Sequence, residues 1–410
     1  MKLQFNKEFN TPHSKFDAEI TISGSKSESN RLLILQQLIE GLHIKNCSDS
    51  DDSRHLKHAL STKETLVDIG HAGTAMRFLI AYFSVQEGRE VVLTGSERMQ
   101  NRPIKILVEA LQRLGAEISY EDKVGYPPVR IKGTQLQKST VQIQGNVSSQ
   151  YISALLLIAS SLPNGLEIEL LGEITSVPYI NMTLSLLKKL DIEAVFKGAL
   201  IQVKPKEVSV KRTIVVESDW SSASYFYSIV ALSEIGSKIQ LSSYKKDSLQ
   251  GDSCLAEIYK HFGVATIFEE NTITLVKESA VAEKVLVLDL INAPDIAQTI
   301  AVTCFGLGVA CSLSGLHTLK IKETDRLVAL ENELTKLGAS ISVTDKSLEL
   351  KPTQKIQSNI AIETYKDHRM AMAFAPLALK VPIQILEADV VTKSYRDFWK
   401  DLQQIGFQIN

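Results

Sequence analysis

Four of the five residues from Lys322 to Arg326 are charged, and they precede an amphipathic run carrying Leu327, Leu330, Leu334 and Leu337. A Lys and an Arg on either side of Glu323 suit an anion held beside an acid. A solvated helix start capped by Thr324 is the plainer alternative. Asp367-His368-Arg369 heads one of the most apolar stretches of the chain, where an unsupported charge is costly. Asp295, in Ala-Pro-Asp, opens another, where a capping aspartate is the plainer reading. Gly24 to Arg31 (GSKSESNR) puts Lys26 at a helix start and Arg31 just over a turn later. Both lie beside free N–H groups that suit a phosphate or carboxylate. Gly73, in Ala72-Gly73-Thr74, allows a close backbone approach. Arg102 stands just before a helix opened by Pro103, where its fork is placed to grip phosphate. Ser148, Ser149 and Gln150 bring two hydroxyls and an amide to a helix mouth, which simple capping explains equally well.

Most of these clusters head apolar segments that recur. First turns begin at Ser27, Thr74, Ser149, Ser222, Asp295 and His368, at steps of 47, 75, 73, 73 and 73 residues. Such spacing is repeat behaviour. Each N-terminus offers unpaired N–H groups and the positive end of a dipole. Cations there cost a few tenths to about 1 kcal/mol each, so the recurring Lys and Arg call for a strongly anionic ligand. Six such ends converging on one cleft would supply its site.

Between the apolar helices, amphipathic stretches end at Gly115, Asp191, Gly263, Gly338 and Gly406 and run into alternating strands. Glycine gives the left-handed cap and alternation marks a half-buried strand. Each unit therefore reads as apolar helix, strand, amphipathic helix, then further strands, a mixed α/β class. The segment HALSTKETLVDIGHAG lacks most of the expected helix, glycine and strand pair, so the first unit is truncated. The tails before the first anchor and after the last add up to nearly one more step, which predicts a sixth unit shared by the chain ends. Two similar lobes follow, residues 20–218 and residues 1–19 plus 219–410, joined by two crossings that act as a hinge.

With 410 residues the chain has ample material for full cores. Apolar content of 44% with 22% charged is that of a soluble globular protein. A net charge of −2 excludes a general attraction to nucleic acid or anionic lipid, so any anion site must be local. Cys47, Cys254, Cys304 and Cys311 form no CxxC pair, which suits reduced thiols in a cytoplasm. The first residues lack the apolar run of a signal peptide. No stretch approaches the roughly 18 apolar residues of a membrane span, and no His/Cys cluster has metal-ligand spacing.

The motifs GSKSESNR, SDSDDSRH, AGTAMR, LTGSERMQNRPI, GNVSSQ, SVPYI, SDWSSASYF, APDIAQT, IKETDRL, DHRMAMAF and TKSY occur in this order along nearly the whole chain. They closely resemble the 5-enolpyruvylshikimate-3-phosphate synthase family. That resemblance implies two lobes of three βαβαββ units each, an inside-out α/β barrel type with its active site in the cleft between lobes. It also implies transfer of the enolpyruvyl group of phosphoenolpyruvate to the 5-hydroxyl of shikimate-3-phosphate, with no cofactor and no metal. The partners would be these two small molecules, with no nucleic acid or membrane, and the protein a cytoplasmic monomer. By the same resemblance Lys26, Ser27 and Arg31 are shikimate-3-phosphate ligands, as are Ser148, Ser149, Gln150, Ser176 and Tyr179. Gly73, Arg102, Arg326, Arg369 and Lys393 match the phosphoenolpyruvate site, which Lys26 and Gln150 also touch. Asp295 matches the proton acceptor and Glu323 the proton donor, with Lys322 binding shikimate-3-phosphate near both. Lys26 and Lys322 count with the two acids as catalytic.

The chain departs from the family pattern at His71, where Asn usually stands, and at Phe78, where Pro is usual. Phe78 lies on the helix that carries Gly73 and can shift it. Thr318 occupies a place where an Asn often contacts shikimate-3-phosphate. One rival is the sister enzyme acting on UDP-N-acetylglucosamine, which carries a reactive Cys in a loop of its first lobe. The stretch from Glu87 to Pro103 has none. A non-catalytic anion-binding relative is another, and it predicts eroded acid and base positions where Asp295, Glu323 and Lys322 stand.

Overall fold

An apolar helix with no polar face must be surrounded on every side. In this computed structural model, which describes residues 1–5, 17–146, 148–175, 177–206 and 209–410, that demand is met in two compact units. One is Gly24–Val216; the other joins Met1–Ser23 to Glu217–Asn410.

In the unit that contains both termini, the helix Trp220–Leu232 is buried along its whole length. It packs on Ala297–Leu307, which in turn packs on His368–Phe374. Hydroxyls join the first two: Ser224 and Thr299 lie 3.0 Å apart, and the hydroxyls of Thr303 and Ser228 lie 2.8 Å apart. Buried polar groups thus find partners inside an otherwise apolar contact. Tyr225, Phe226, Tyr259, Phe262 and Phe398 fill the surrounding core.

Three four-stranded sheets enclose these helices, and each has the same register logic. In one, Val285–Asp289 runs parallel to Ala310–Ser314, which pairs antiparallel with Leu348–Leu350, itself antiparallel to Ile341–Val343. With the intervening helices this is one βαβαββ unit. The same pattern joins Asp17–Ile20, Lys238–Ser242, Thr272–Lys277 and Val264–Phe268. In the last sheet Lys2–Phe5 takes the third place, antiparallel to both Ile383–Ile385 and Phe407–Ile409. The two ends of the chain therefore complete one unit together.

The Gly24–Val216 unit has two full sheets of the same kind, built from the strands between residues 66 and 132 and between 140 and 203. Its third is only a parallel pair, Ser209–Val215 with Glu40–Lys45. Here the sequence reading needs correction, because the amphipathic helix of the short unit survives as Asp51–Ser61. Ser50 caps it, Asp51 and Asp52 favour its first turn, and Leu56 and Ala59 bury a narrow stripe. What the short unit lacks, among the described residues, is the hairpin. A second difference is local. LAEIYKHF forms only the turn Leu255–Ile258 followed by a 3₁₀ turn, Tyr259–Phe262. In a 3₁₀ turn residues three apart eclipse, which lets Tyr259 and Phe262 both enter the core. The cap positions fall as the turn chemistry requires, with Gly115, Asp191, Gly263, Gly338 and Gly406 all at positive φ.

Candidate active site

In the unit holding both termini, three helix starts bring their polar heads together. Asp295 sits in a short 3₁₀ turn, Pro294–Ile296, ahead of the Ala297–Leu307 helix. It caps nothing, so the capping alternative falls away. Its carboxylate instead takes Arg326 Nη1 at 2.9 Å, Arg369 Nη2 at 3.2 Å and Lys322 Nζ at 3.4 Å. The helix Arg326–Lys336 is capped by Asp325, not Thr324, because Asp325 accepts from the N–H groups of Leu327 and Val328. That cap turns the first helical side chain, Arg326, inward.

Arg326 is 1% exposed and clamps three acids. Besides Asp295 it donates from Nη2 to Glu323 at 2.8 Å and from Nε to Asp367 at 2.7 Å. Asp367 also caps the His368–Phe374 helix through the Arg369 N–H. Lys393 forms a short ion pair with Glu323. Isolated charges at this depth would be costly, and each is compensated by its neighbours.

These neighbours set the proton affinities. Burial pushes Asp295 up, but Arg369, Lys322 and Arg326 outweigh it and hold the carboxyl well below its ordinary range. Burial acts on Glu323 in the same way, and Lys393, Arg326 and His368 overcome it. These cations therefore favour the ionised form of both acids. Thr318, nearby in sequence to Lys322, has a buried Oγ1 with no hydrogen-bond partner among the described residues.

The Gly24–Val216 unit assembles a different set. Gly73 begins the helix Gly73–Ser84, which has no side-chain cap. A Cβ on Gly73 would lie 2.0 Å from Arg102 Nη1 and 2.7 Å from its Cζ. Only glycine lets that guanidinium lie against the helix mouth. Gln150, in the first turn of Ser149–Ala159, donates to Thr74 at 3.3 Å, so two helix starts meet there. Ser148 caps the second of them and Ser149 is buried. Tyr151 locks the approach by donating to Pro103 O at 2.6 Å.

Lys26 and Arg31 do not behave alike, although both lie on the helix Lys26–Leu38. Lys26 is partly exposed, 3.9 Å from Asp52. Arg31 is 2% exposed and every nitrogen donates inward. Nε reaches Thr183 at 2.8 Å, Nη1 the Ser27 carbonyl at 2.7 Å, and Nη2 Ser153 at 3.0 Å and the Tyr179 carbonyl at 3.3 Å. Arg31 thereby ties Ser27 to Tyr179. Burial lowers its pKa to about 10. Ser176 lies outside the described residues.

Sequence reasoning gave no role to Asp367 or Asp52. Both stand in motifs, DHR and SDSDDSRH, that mark the region but not which oxygen meets which cation.

The architecture matches the EPSP synthase of Acinetobacter baumannii with a TM-score of 0.82 at 21% identity, covering 97% of each chain. It also matches the enolpyruvyl transferase NikO of Streptomyces tendae with a TM-score of 0.75 at 13% identity, covering 100% of this chain and 98% of that one. At those identities the likeness is one of fold, the fold of enolpyruvyl transferases. Sequence is more specific. A profile described as EPSP synthase (3-phosphoshikimate 1-carboxyvinyltransferase) matches residues 56–402. The 3-phosphoshikimate 1-carboxyvinyltransferase of Bacteroides fragilis is 47% identical over 401 residues, 97% of each chain. The chain belongs to the EPSP synthase family.

Proposed function

We propose that the Asp295–Arg326–Glu323 cluster carries the family's reaction, transfer of the enolpyruvyl group of phosphoenolpyruvate to the 5-hydroxyl of shikimate-3-phosphate with release of phosphate. The observation that supports it most is two carboxylates bridged by one buried arginine and flanked by Lys322, Arg369 and Lys393. The chemistry asks for that combination. The 5-hydroxyl must lose a proton while the methylene carbon of phosphoenolpyruvate gains one, and negative charge must be held throughout.

Asp295, ionised, is the proton acceptor. Glu323 must carry a proton to donate one, yet Lys393 and Arg326 favour its ionised form. Binding resolves this. Carboxylate and phosphate groups compete with Glu323 for Lys393 and Arg326 and add negative charge beside it, and both effects raise its pKa. Proton delivery to the methylene then allows the 5-oxygen to attack the adjacent carbon, giving a tetrahedral intermediate. Loss of phosphate with the protons moving back yields the enol ether.

Lys26, Ser27, Arg31, Ser148, Ser149, Gln150, Ser176, Tyr179, Thr318 and Lys322 hold shikimate-3-phosphate. Arg31 orders the Ser27 and Tyr179 backbone and keeps an Nη1 hydrogen in reserve. Gly73, Arg102, Arg326, Arg369 and Lys393, with Lys26 and Gln150, hold phosphoenolpyruvate. The reading carries with it a monomer working in the cytoplasm. No helix among the described residues is long and apolar enough to cross a membrane. Phosphate release measured with each substrate alone and with both is the test. Turnover is expected only with both, and release from phosphoenolpyruvate alone at a comparable rate would overturn the reading.

A further inference from the structure

The fourth polar head, Trp220-Ser221-Ser222, has so far been given no ligand. Asp219 occupies Ser222 by accepting from both its N–H and its hydroxyl. Ser221 is different. It is buried, it accepts from Arg369 Nη2 at 3.2 Å, and its own hydroxyl donates to Asp252 Oδ2 in a short hydrogen bond. The same Nη2 reaches Asp295 at 3.2 Å.

The loop that carries Asp252 is fixed from both sides. Gln250 accepts from the Trp220 N–H at 3.0 Å and donates to the Ser218 carbonyl at 2.9 Å. This anchors the turn Gly251–Cys254 to the start of the Trp220–Leu232 helix. Asp252 is 4% exposed, and its Oδ1 has no hydrogen-bond partner among the described residues. A buried carboxylate with one oxygen unused is expensive to maintain. Burial pushes it up to about 6, with Asp295 adding to the rise and Arg369 opposing it.

Both hydrogens of Arg369 Nη2 are thus spoken for, one by Ser221 and one by Asp295, and these two acceptors define the plane of the guanidinium. Among the described residues Nε and Nη1 donate to no one. The two acceptors differ in a way that matters. Asp295, as the proton acceptor of the proposed reaction, weakens as an acceptor for Arg369 when it takes up the proton. The Ser221–Asp252 pair takes no proton from the substrate, so the Ser221 contact to Arg369 is not the one that the transfer weakens.

We propose that Asp252, acting through the Ser221 hydroxyl, is a positioning residue that fixes Arg369 for the phosphoenolpyruvate anion. This rests on the reading that Arg369 binds that substrate, so the test includes a variant that addresses the reading alone. Steady-state kinetics would be run on the full chain carrying Asp252→Asn, Ser221→Ala, both together, Ser221→Thr, and separately Arg369→Lys. Each single change at Asp252 or Ser221 is expected to raise KM for phosphoenolpyruvate roughly 5- to 20-fold. KM for shikimate-3-phosphate and kcat should stay within about threefold. The double variant should fall within about twofold of the worse single one, because the two residues act as one unit. Ser221→Thr restores the hydroxyl and should return KM to within about threefold of wild type.

Singles within twofold of wild type, effects that multiply in the double variant, or a change confined to kcat would each overturn the proposal. If Asp252→Asn does not fold, the Ser221→Ala and Ser221→Thr pair still decides it. Arg369→Lys separates the two levels. If it leaves KM for phosphoenolpyruvate within twofold, the assignment of Arg369 fails. If it raises that KM while Asp252→Asn and Ser221→Ala do not, only the positioning role fails.

Discussion

Arg31 and Arg77, in the Gly24–Val216 unit, are buried against carbonyls, hydroxyls and aromatic faces, and among the described residues neither has a carboxylate within ion-pair distance. Arg326, which is buried, and Arg369, which is half-buried, lie in the other unit against Asp295, Glu323 and Asp367. Burial lowers the first pair to about 10, with Arg102 pushing Arg77 further the same way. In the second pair burial also acts downward, but the carboxylates override it and raise both. Cations without counter-ions make a receptor that waits for anions. Cations already paired with acids make a site whose proton affinities change when an anion displaces those acids. The first arrangement suits binding and the second suits proton transfer.

The widest gap between the two should appear in turnover. Asp295→Asn and Glu323→Gln are expected to lower kcat by about 10² to 10⁴, the usual contribution of a general acid or base. Phosphate release at saturating levels of both substrates measures it. Either variant keeping more than roughly a tenth of the wild-type rate would take the proton roles away from these residues.

The same contrast should be visible in stability against pH. Asp295 and Glu323 are held below their unfolded values, which lie near 4. Their stabilisation is therefore complete above those unfolded values and is lost as pH falls through the folded ones. Asp252 runs the other way, since its raised pKa makes its contribution largest in acid and reduces it as pH rises through about 6. Urea midpoints followed from about pH 5 down to about 2.5 should fall more steeply for wild type than for Asp295→Asn/Glu323→Gln. Parallel curves would mean that the buried network stores no such linkage.

A smaller effect, on binding alone, is expected in the receptor-like unit. Gly73→Ala puts a methyl where Arg102 Nη1 lies, and Arg77 Nη1 is only 2.8 Å from the same point. Arg102 must move. KM for phosphoenolpyruvate should rise about tenfold, or roughly 1.4 kcal/mol, with kcat changed less than threefold. A tenfold fall in kcat at constant KM would mean that the unit also takes part in the chemical step.

How far this contrast could be read beforehand depends on what carries it. The apolar helices and their spacing were legible because an all-apolar segment with a polar head has one stable environment, and five helix ends announced themselves by Gly or Asn-like αL positions such as Gly115 and Asp191. The family motifs pointed to Asp295, Glu323 and Arg326 as residues. That Arg326 would be shared among three acids was not legible, since the partners come from residues 295, 323 and 367 and only the packed helices set their distances. Asp325 rather than Thr324 as the cap is a choice between two adequate acceptors that backbone angles decide. The survival of the Asp51–Ser61 helix was missed because its buried stripe is narrow and its charged residues dominate the pattern.

Phe78 gives the smallest expected change and the finest test of the receptor unit. Its ring is fully buried and lies 5.4 Å from the Arg31 guanidinium carbon, on the helix that begins at Gly73. Two consequences compete. The ring supports Arg31, and through it Ser27 and Tyr179; or its bulk sets the position of its own helix, and so of Gly73. Phe78→Leu separates them, because leucine keeps the helix and most of the apolar volume but removes the π face. Loss of a desolvated cation–π contact costs about 0.5–2 kcal/mol. If support of Arg31 is the main role, KM for shikimate-3-phosphate should rise about two- to fivefold while KM for phosphoenolpyruvate stays within twofold. The opposite pattern would assign Phe78 to Gly73 and Arg102 instead. A drop in Tm with both KM values unchanged would leave the ring as packing alone, and Arg31 would then be held well enough by Thr183 and Ser153 without it.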